Sequence, residues 1–408
     1  MGTILAVAAL IEYYRAVLFF MKGGRLAECP SFKNDEQAKV NLFSLAAVFQ
    51  LWNTMDHNSQ PLHQSLRIRL KHITLPWTGL PLSWWLISRP MYVVFVLAAF
   101  PMMCLFAAIS KSGLLGLLGA PAEFREQLEH SSHWLISWLN GYILVAHAAS
   151  PTTKSTFLLE DQVTFLNTAR GKKLSAIGSL EGSNIVVKNA NVEGGMGIFF
   201  FKNIESGGDW AFQEIPLPHK ALQEVIPLHY GAPRFHVVTM LPFRNDEEKD
   251  KSVKTLSVVL QVLPPVASGT PVDHSMYFDV SPFSCTIENG STHTRWYNKG
   301  PIAALRYDLG QSGLPITRVE GKIVIGTNVP EVSAVMELAH KSHSLLGAGI
   351  PLASWTIQLT DEGAVLERVS FQASNWSSFT DYKLFYRTVC EWTNHYQAKP
   401  SRRREDQL

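Results

Sequence analysis

The sequence predicts an α/β (α+β) domain preceded by an N-terminal, membrane-associated helical region. Three observations carry that expectation. Pro90 to Ser110 is an apolar run without a single charge, bracketed by Arg89 and Lys111, and is long enough to span a hydrocarbon core of about 30 Å. From Ala122 onward, short strand-like apolar runs alternate with amphipathic helical patterns. Among those runs, Asn184 to Phe201 (NIVVKNANVEGGMGIFFF) joins two apolar stretches through a glycine-rich loop.

The helical region covers residues 1–121. Its main expected span is 90–110, and Trp77, Trp84 and Trp85 stand at the entrance, where indole rings suit the membrane interface. Residues 4–21 form a second candidate span. This run carries Glu12 and Arg15, whose spacing places them on one helical face, where they could pair. No basic residue precedes it, as a cleaved signal peptide would require, and Ala6 stands where a myristoylation signal wants Ser or Thr. Buried helices of a soluble protein fit the same two runs, so both readings stand at this stage. Basic residues such as Arg67, Arg69 and Lys71 are denser before the main span, which argues for a cytoplasmic face there. A cytoplasmic location of the domain that follows the span would reverse that assignment. Asn41 to Trp52 reads as a short apolar helix.

Composition narrows the function classes. The 408 residues carry a net charge of +2, and the basic side chains are dispersed, so no nucleic-acid partner is expected. Cys29, Cys104, Cys285 and Cys390 form no CxxC pair, which excludes a cysteine zinc site and fits a reducing compartment. Two acceptor triplets for N-glycosylation, at Asn289 and Asn375, matter only in a lumen. There is no GxSxG elbow and no HExxH pair. His340 and His343 lie three apart on a predicted helix but lack a third partner for zinc.

The domain is expected to run from 122 to 398, with a charged tail over 399–408. Helices are predicted over Glu123–Leu139, Glu160–Arg170, Val329–Leu346 and Phe379–Tyr396. Strands are predicted over Ile185–Lys188, Ile198–Lys202, Trp210–Glu214, His236–Leu241 and Ser257–Leu263. Trp355–Leu359 and Val365–Val369 form a further pair around the turn Thr360–Gly363. Arg244 to Lys254 reads as a solvated loop, because so many charges cannot be buried together.

The glycine loop carries the chemistry. Ile185–Val187 delivers Lys188 to a strand end, and Gly194, Gly195 and Gly197 allow the backbone to approach a ligand and present amide donors. A lysine point charge beside convergent N–H groups suits a polyphosphate. The loop is no Walker motif, since no Gly-Lys-Ser/Thr opens a helix. A plain hairpin turn would use the same glycines, and these residues alone leave the two readings level.

Taken in order, the landmarks resemble the ATP-grasp superfamily, most closely its sugar-transfer-associated branch related to α-L-glutamate ligases. Lys188 with Glu193-Gly-Gly-Met-Gly197 resembles the strand lysine and phosphate loop. Phe212-Gln213-Glu214-Ile215 with Pro218-His219 resembles the strand that contacts adenine. His236-Val-Val-Thr239 stands at an Arg-Val-Val-Thr run, and Val272-Asp273-His274 at a Val-Asp-Asn step. Ser354-Trp-Thr-Ile-Gln-Leu-Thr-Asp-Glu-Gly-Ala-Val-Leu-Glu367 resembles the last catalytic strand pair. The resemblance covers residues 160–397 and implies a two-subdomain fold using ATP and Mg2+. It further implies a ligase that activates a carboxylate as an acyl phosphate for attack by an amine, hydroxyl or thiol, in a biosynthetic pathway. On it, Lys188, Glu193, Gly194, Gly195, Gly197, Gln213, Glu214 and Arg368 would hold the nucleotide. His236 and Asp273 would serve the reacting groups, and Glu367 a metal. The whole would be a membrane-bound protein with its catalytic domain in the cytoplasm, in contact with lipid.

The departures from that family are specific. Thr356 replaces an acidic residue, and His236 an arginine. Gln162 stands where a second nucleotide-binding lysine is expected. Without a gap, Arg368 and Ser370 fall at the family's metal-binding Glu and Asn. Residues two apart share a strand face, so Glu367 would face away unless the strand bulges by one residue. An inactive relative, keeping the fold as a nucleotide-binding or interaction module at a membrane, is the alternative these substitutions favour.

Overall fold

A computed structural model of the chain describes residues 2–22, 24, 45, 47–70, 83, 87–112, 119–129, 134–149, 153–178, 185–189, 198–201, 210–213, 216–227, 232–243, 252–263, 275–292, 314–371 and 382–398. The chain divides into two compact units: Met1–His147 with Trp296–Gly310 and Tyr382–Leu408, and Ala148–Arg295 with Gln311–Asp381.

The first unit is helical. Helix α1 is Gly2–Met21, and α2 (Arg89–Val94) runs through a π-helical segment, Phe95–Ala99, into α3 (Phe100–Ser112). Two helical stretches, Thr3–Met21 and Arg89–Phe106, are long and apolar enough to cross a membrane. Only 22% and 33% of them are buried, and Ile4, Val7, Val94 and Phe106 are exposed. Glu12 and Arg15 are both exposed, and among the described residues no ion pair joins them. Helices α4 (Ala120–Glu129) and α5 (Trp134–Ala148) share the stretch expected as one helix over Glu123–Leu139; residues 130–133 lie outside the described set. Helix α4 packs on both α1 and α3, burying Phe124 and Leu128. The C-terminal helix, Tyr382–Ala398, buries Phe385, Tyr386 and Val389 on one face, as its pattern predicts.

The π-helical segment has an identifiable cause. Pro101 has no N–H, and the Phe100 N–H closes on the Phe95 carbonyl, so the Val96 and Leu97 carbonyls lose their helical donors. Helix α1 supplies replacements: the Tyr13 hydroxyl donates to Val96 O at 2.6 Å and the Tyr14 hydroxyl to Leu97 O at 2.9 Å. Polar groups without partners are costly in an apolar setting, so this tyrosine pair fixes where α1 docks. Tyr14→Phe is expected to lower the thermal stability of the chain by about 1–2 kcal/mol. In a Pro101→Ala background, where the N–H is restored, that cost should shrink; an undiminished cost would refute the account.

The second unit is a mixed helix and antiparallel-sheet structure. Strands β1 (Ile185–Asn189), β2 (Ile198–Phe201) and β3 (Trp210–Gln213) form a three-stranded antiparallel sheet in the order β2-β1-β3. The larger sheet is seven-stranded, in the order β12-β11-β4-β5-β6-β7-β8, and every neighbour is antiparallel. Its central strands are β4 (Arg234–Met240), β5 (Lys254–Val262) and β6 (Met276–Val280). They are flanked by β7 (Ile287–Thr292) and β8 (Leu314–Pro315) on one side and by β11 (Leu352–Thr360) and β12 (Gly363–Ser370) on the other. A separate two-stranded ribbon joins β9 (Arg318–Val319) and β10 (Lys322–Ile323). Residues 244–251 of the expected loop are outside the described set, and Lys254 opens β5.

One face of the large sheet is its core. Phe235, Val237, Val258, Leu260, Phe278, Trp355 and Ile357 are fully buried there. Helices α6 (Gln162–Gly171) and α7 (Val332–Leu346) cover it: Phe165 meets Trp355 with ring centroids 6.4 Å apart, and His343 meets Trp355 at 6.1 Å. Trp355 is therefore a packing residue whose indole N–H donates to the Thr239 hydroxyl at 2.7 Å. The β11–β12 turn places Gly363 at φ +113°, a conformation that favours glycine. The outer edge of β12 is partly covered by residues 175–177, whose backbone exchanges hydrogen bonds with Leu366.

Candidate functional site

The other face of the same sheet is polar and half-open. Register places Arg368 opposite Thr356, Thr356 opposite His236, His236 opposite Val259, Val259 opposite Asp279 and Asp279 opposite Asn289. Directly paired residues share a face, so these form one row across six strands. Gln261 and Tyr277, two positions along their strands, lie on the same face. On this face Arg368, Thr356, His236, Gln261, Tyr277 and Asp279 are half-buried and Val259 is buried, while the strand neighbours of those six on the helix-covered face are buried. The His236 Nε2 lies 2.7 Å from the Gln261 amide oxygen, whose amide nitrogen donates to the Tyr277 hydroxyl at 3.0 Å. The Thr356 hydroxyl approaches His236 Nδ1 at 3.4 Å. The polar row is thus cross-linked over β11, β4, β5 and β6.

A bulge alters its β12 end. Pairing shifts between Thr356 and Ile357, so that Thr356 meets Arg368 while Ile357 meets Leu366, and Glu367 is the extra residue. The bulge turns Glu367 towards Arg234 and Gln358, which share the polar face with His236 and Thr356. Its carboxylate accepts from Arg234 Nε at 2.8 Å and from Gln358 Nε2 at 2.8 Å. Arg234 is 9% and Glu367 1% exposed, so this is a buried ion pair. The Gln162 side-chain amide donates to the Glu367 backbone carbonyl, which anchors the bulge to α6.

Of the residues singled out in the sequence, His236, Arg368 and Glu367 thus converge on one sheet face. Lys188 lies in β1, the centre of the small sheet, paired in register with Ile198 and Ala211, and Gln213 pairs with Val186. Glu193, Gly194, Gly195, Gly197, Glu214 and Asp273 lie outside the described residues. The segment with Pro218 and His219 is tied to the far end of β11: the His219 N–H donates to Leu359 O at 2.9 Å, and the Asp361 carboxylate accepts from Lys220 N at 2.9 Å. Sequence reasoning missed Arg234, Gln261, Tyr277 and Asp279. The alternation of Met276, Phe278 and Val280 with Tyr277 and Asp279 was a usable signal for the last two.

The residues do not fit the magnesium ions that the family resemblance implies. Magnesium wants oxygen ligands, carboxylates above all. Thr356, Arg368 and Ser370 offer two hydroxyls and a cation, and the Glu367 carboxylate is neutralised by a buried guanidinium. Among the described residues, no group of three or more His, Cys, Asp or Glu could hold a metal.

No family model and no curated protein matches the sequence. Solved structures similar to it include the D-alanine–D-alanine ligase of Bacillus anthracis complexed with ATP, at 8% identity over 60% of this chain and 69% of that one, with a TM-score of 0.32. They also include D-alanyl-alanine synthetase A of Vibrio cholerae, at 10% identity over 61% and 66%, with a TM-score of 0.33. A third is an Archaeoglobus fulgidus protein described as belonging to the ATP-grasp superfamily, at 11% identity over 64% and 61%, with a TM-score of 0.30. The chain spans less than two thirds of the latter two. At such identities and TM-scores, the role of each residue rests on this chain's own geometry.

Proposed function

We propose that this chain is a membrane-anchored ATP-grasp-like protein of ligase type. It would bind ATP and join a carboxylate to an amine, hydroxyl or thiol. In that chemistry a carboxylate oxygen attacks the γ-phosphoryl group, ADP leaves, and the acceptor then displaces phosphate from the acyl phosphate. The single observation that carries the reading is the polar row on the large sheet. A sheet sealed by helices on one face and presenting Arg368, Thr356 and His236 on the other has the one-sided character of a ligand platform. Lys188 and the glycine loop after it would contact the phosphates, Gln213 and Glu214 the base, and His236 with Asp273 the reacting groups. Anchoring rests on the exposed apolar faces of α1 and α3, which suit contact with lipid.

A second reading, a nucleotide-binding module without turnover, is favoured by the Arg234–Glu367 pair. The test is a thermal-shift titration of the full chain in detergent with ATP in magnesium buffer. At a hundred times the dissociation constant, a ligand that binds only the folded state adds about 2.7 kcal/mol, and Lys188→Ala should remove that gain. ADP release in the same buffer, supplemented with candidate carboxylates and amine, hydroxyl or thiol acceptors, separates the readings. Sustained release supports the ligase type; binding without release supports the module. If ATP gives no shift at any concentration, the nucleotide reading is wrong.

A further inference from the structure

We infer that the polar sheet face holds an oxyanion directly on the Arg368 guanidinium, with no divalent cation between ligand and protein. This rests on the nucleotide reading above, and it departs from what the family resemblance implies about metal.

Three observations lead there. First, the one carboxylate that the bulge brings to the β12 end of this face is already matched by a cation of the chain. Arg234 Nε and Gln358 Nε2 both donate to the same oxygen of Glu367, and all three residues are buried. A divalent ion at Glu367 would sit against a guanidinium that cannot lose its proton. Arg234 lies two residues before His236 on β4, on the same face, so this strand has an arginine, but one spent on Glu367 rather than offered to a ligand.

Second, the remaining acid of the row is too far away to help. Asp279 is on β6 and Arg368 on β12, four strand spacings apart, which amounts to about 19 Å. Two carboxylates clamping one cation must lie within a few ångströms of each other, so Asp279 and Glu367 cannot share an ion. The immediate neighbours of Arg368 in the ladder and along β12, Thr356 and Ser370, supply hydroxyl groups instead.

Third, Arg368 itself is half-exposed, and among the described residues no hydrogen bond or ion pair engages its guanidinium. It stands where the family pattern, read without a gap, has a metal-binding glutamate. A planar guanidinium takes two oxygens of a phosphoryl or carboxylate group side by side. With the Thr356 hydroxyl and the His236 ring next in the row, the position can bind and orient an anionic group with no ion as intermediary.

The experiment measures ATP binding to the full chain by calorimetry in excess EDTA and again in excess magnesium, for the wild type and Arg368→Gln. The expected result is affinity equal within about threefold in the two buffers, and at least about tenfold weaker binding by Arg368→Gln in both. Binding that requires magnesium overturns the inference while leaving the nucleotide reading intact, as does an Arg368→Gln chain that binds like the wild type. Pyrophosphate in EDTA is the second probe. If it binds through Arg368 where ATP does not, the direct oxyanion contact stands and the nucleotide reading falls. If neither binds, both fall.

Discussion

Glu367→Ala is expected to destabilise the sheet-bearing unit by about 3–5 kcal/mol, the largest effect of any single substitution on the polar face. The magnitude follows from what the truncation leaves behind. Arg234, 9% exposed, would keep its charge with no carboxylate to meet it, and Gln358 would lose its acceptor as well. Arg234→Met should cost a comparable amount, because it strands the carboxylate instead. The pair is a liability only when half-broken. The double variant Arg234→Met/Glu367→Leu should therefore recover most of the loss, since an apolar pair of similar volume replaces both desolvated charges at once. Hydrogen exchange at the β4, β11 and β12 amides reports the local stability directly. A loss below about 1 kcal/mol for Glu367→Ala, typical of a solvated surface pair, would show that the two charges are not buried together.

The same corner of the fold shows what the sequence could and could not reveal. The β11–β12 hairpin was legible, because Trp355–Leu359 and Val365–Val369 flank a turn closed by a glycine, and the structure lengthens both strands by a few residues. The bulge was not fixed by those residues alone. Two charges in succession, Glu367 and Arg368, break the alternation, but which residue is extra depends on the partner strand and on Arg234, 133 positions away. Strands β6 and β7 were missed. The first is only five residues long and follows a segment rich in glycine and proline, while the second, IENGST, is too polar to read as a strand. Their place in the sheet is given by pairing with β5 rather than by their own propensity. Helix α7, in contrast, was legible from its 3.6-residue periodicity and begins three residues later than its expected start. The polar row was only half visible for a related reason. His236, Arg368 and Glu367 could be named one by one, but a row exists only once the register across the strands is known.

Acid is expected to weaken the second unit through His343, and the sign can be fixed from its surroundings. His343 Nε2 is 2.8 Å from the Ile350 carbonyl, which can only accept, so Nε2 carries the proton. Nδ1 is then the acceptor for the Thr239 hydroxyl at 2.7 Å, and that hydroxyl oxygen in turn accepts the Trp355 indole N–H at 2.7 Å. The ring is neutral, buried and fully engaged. Burial lowers its pKa from 6.5 to about 4, the Ile350 carbonyl opposes that shift, and the nearby His340 adds to it. The folded state therefore resists a proton that the unfolded chain takes up near pH 6.5. Stability from this group is fully present above that value, falls between about pH 6.5 and 4, and levels off below. At about 1.4 kcal/mol per pH unit, the total loss is about 3 kcal/mol. His343→Gln keeps hydrogen-bonding capacity without a titrating ring. It should lower stability at neutral pH yet flatten the slope between pH 6.5 and 4. His340, half-buried and with its pKa lowered by burial in the same direction, leaves a smaller slope in that variant. Urea midpoints measured across this range decide the matter, and an unchanged slope in His343→Gln would place the acid sensitivity elsewhere. The polar contacts that join β4, β11 and α7 behind the candidate site thus hold only while this imidazole stays neutral, which ties the integrity of the platform to pH through a residue on its opposite face.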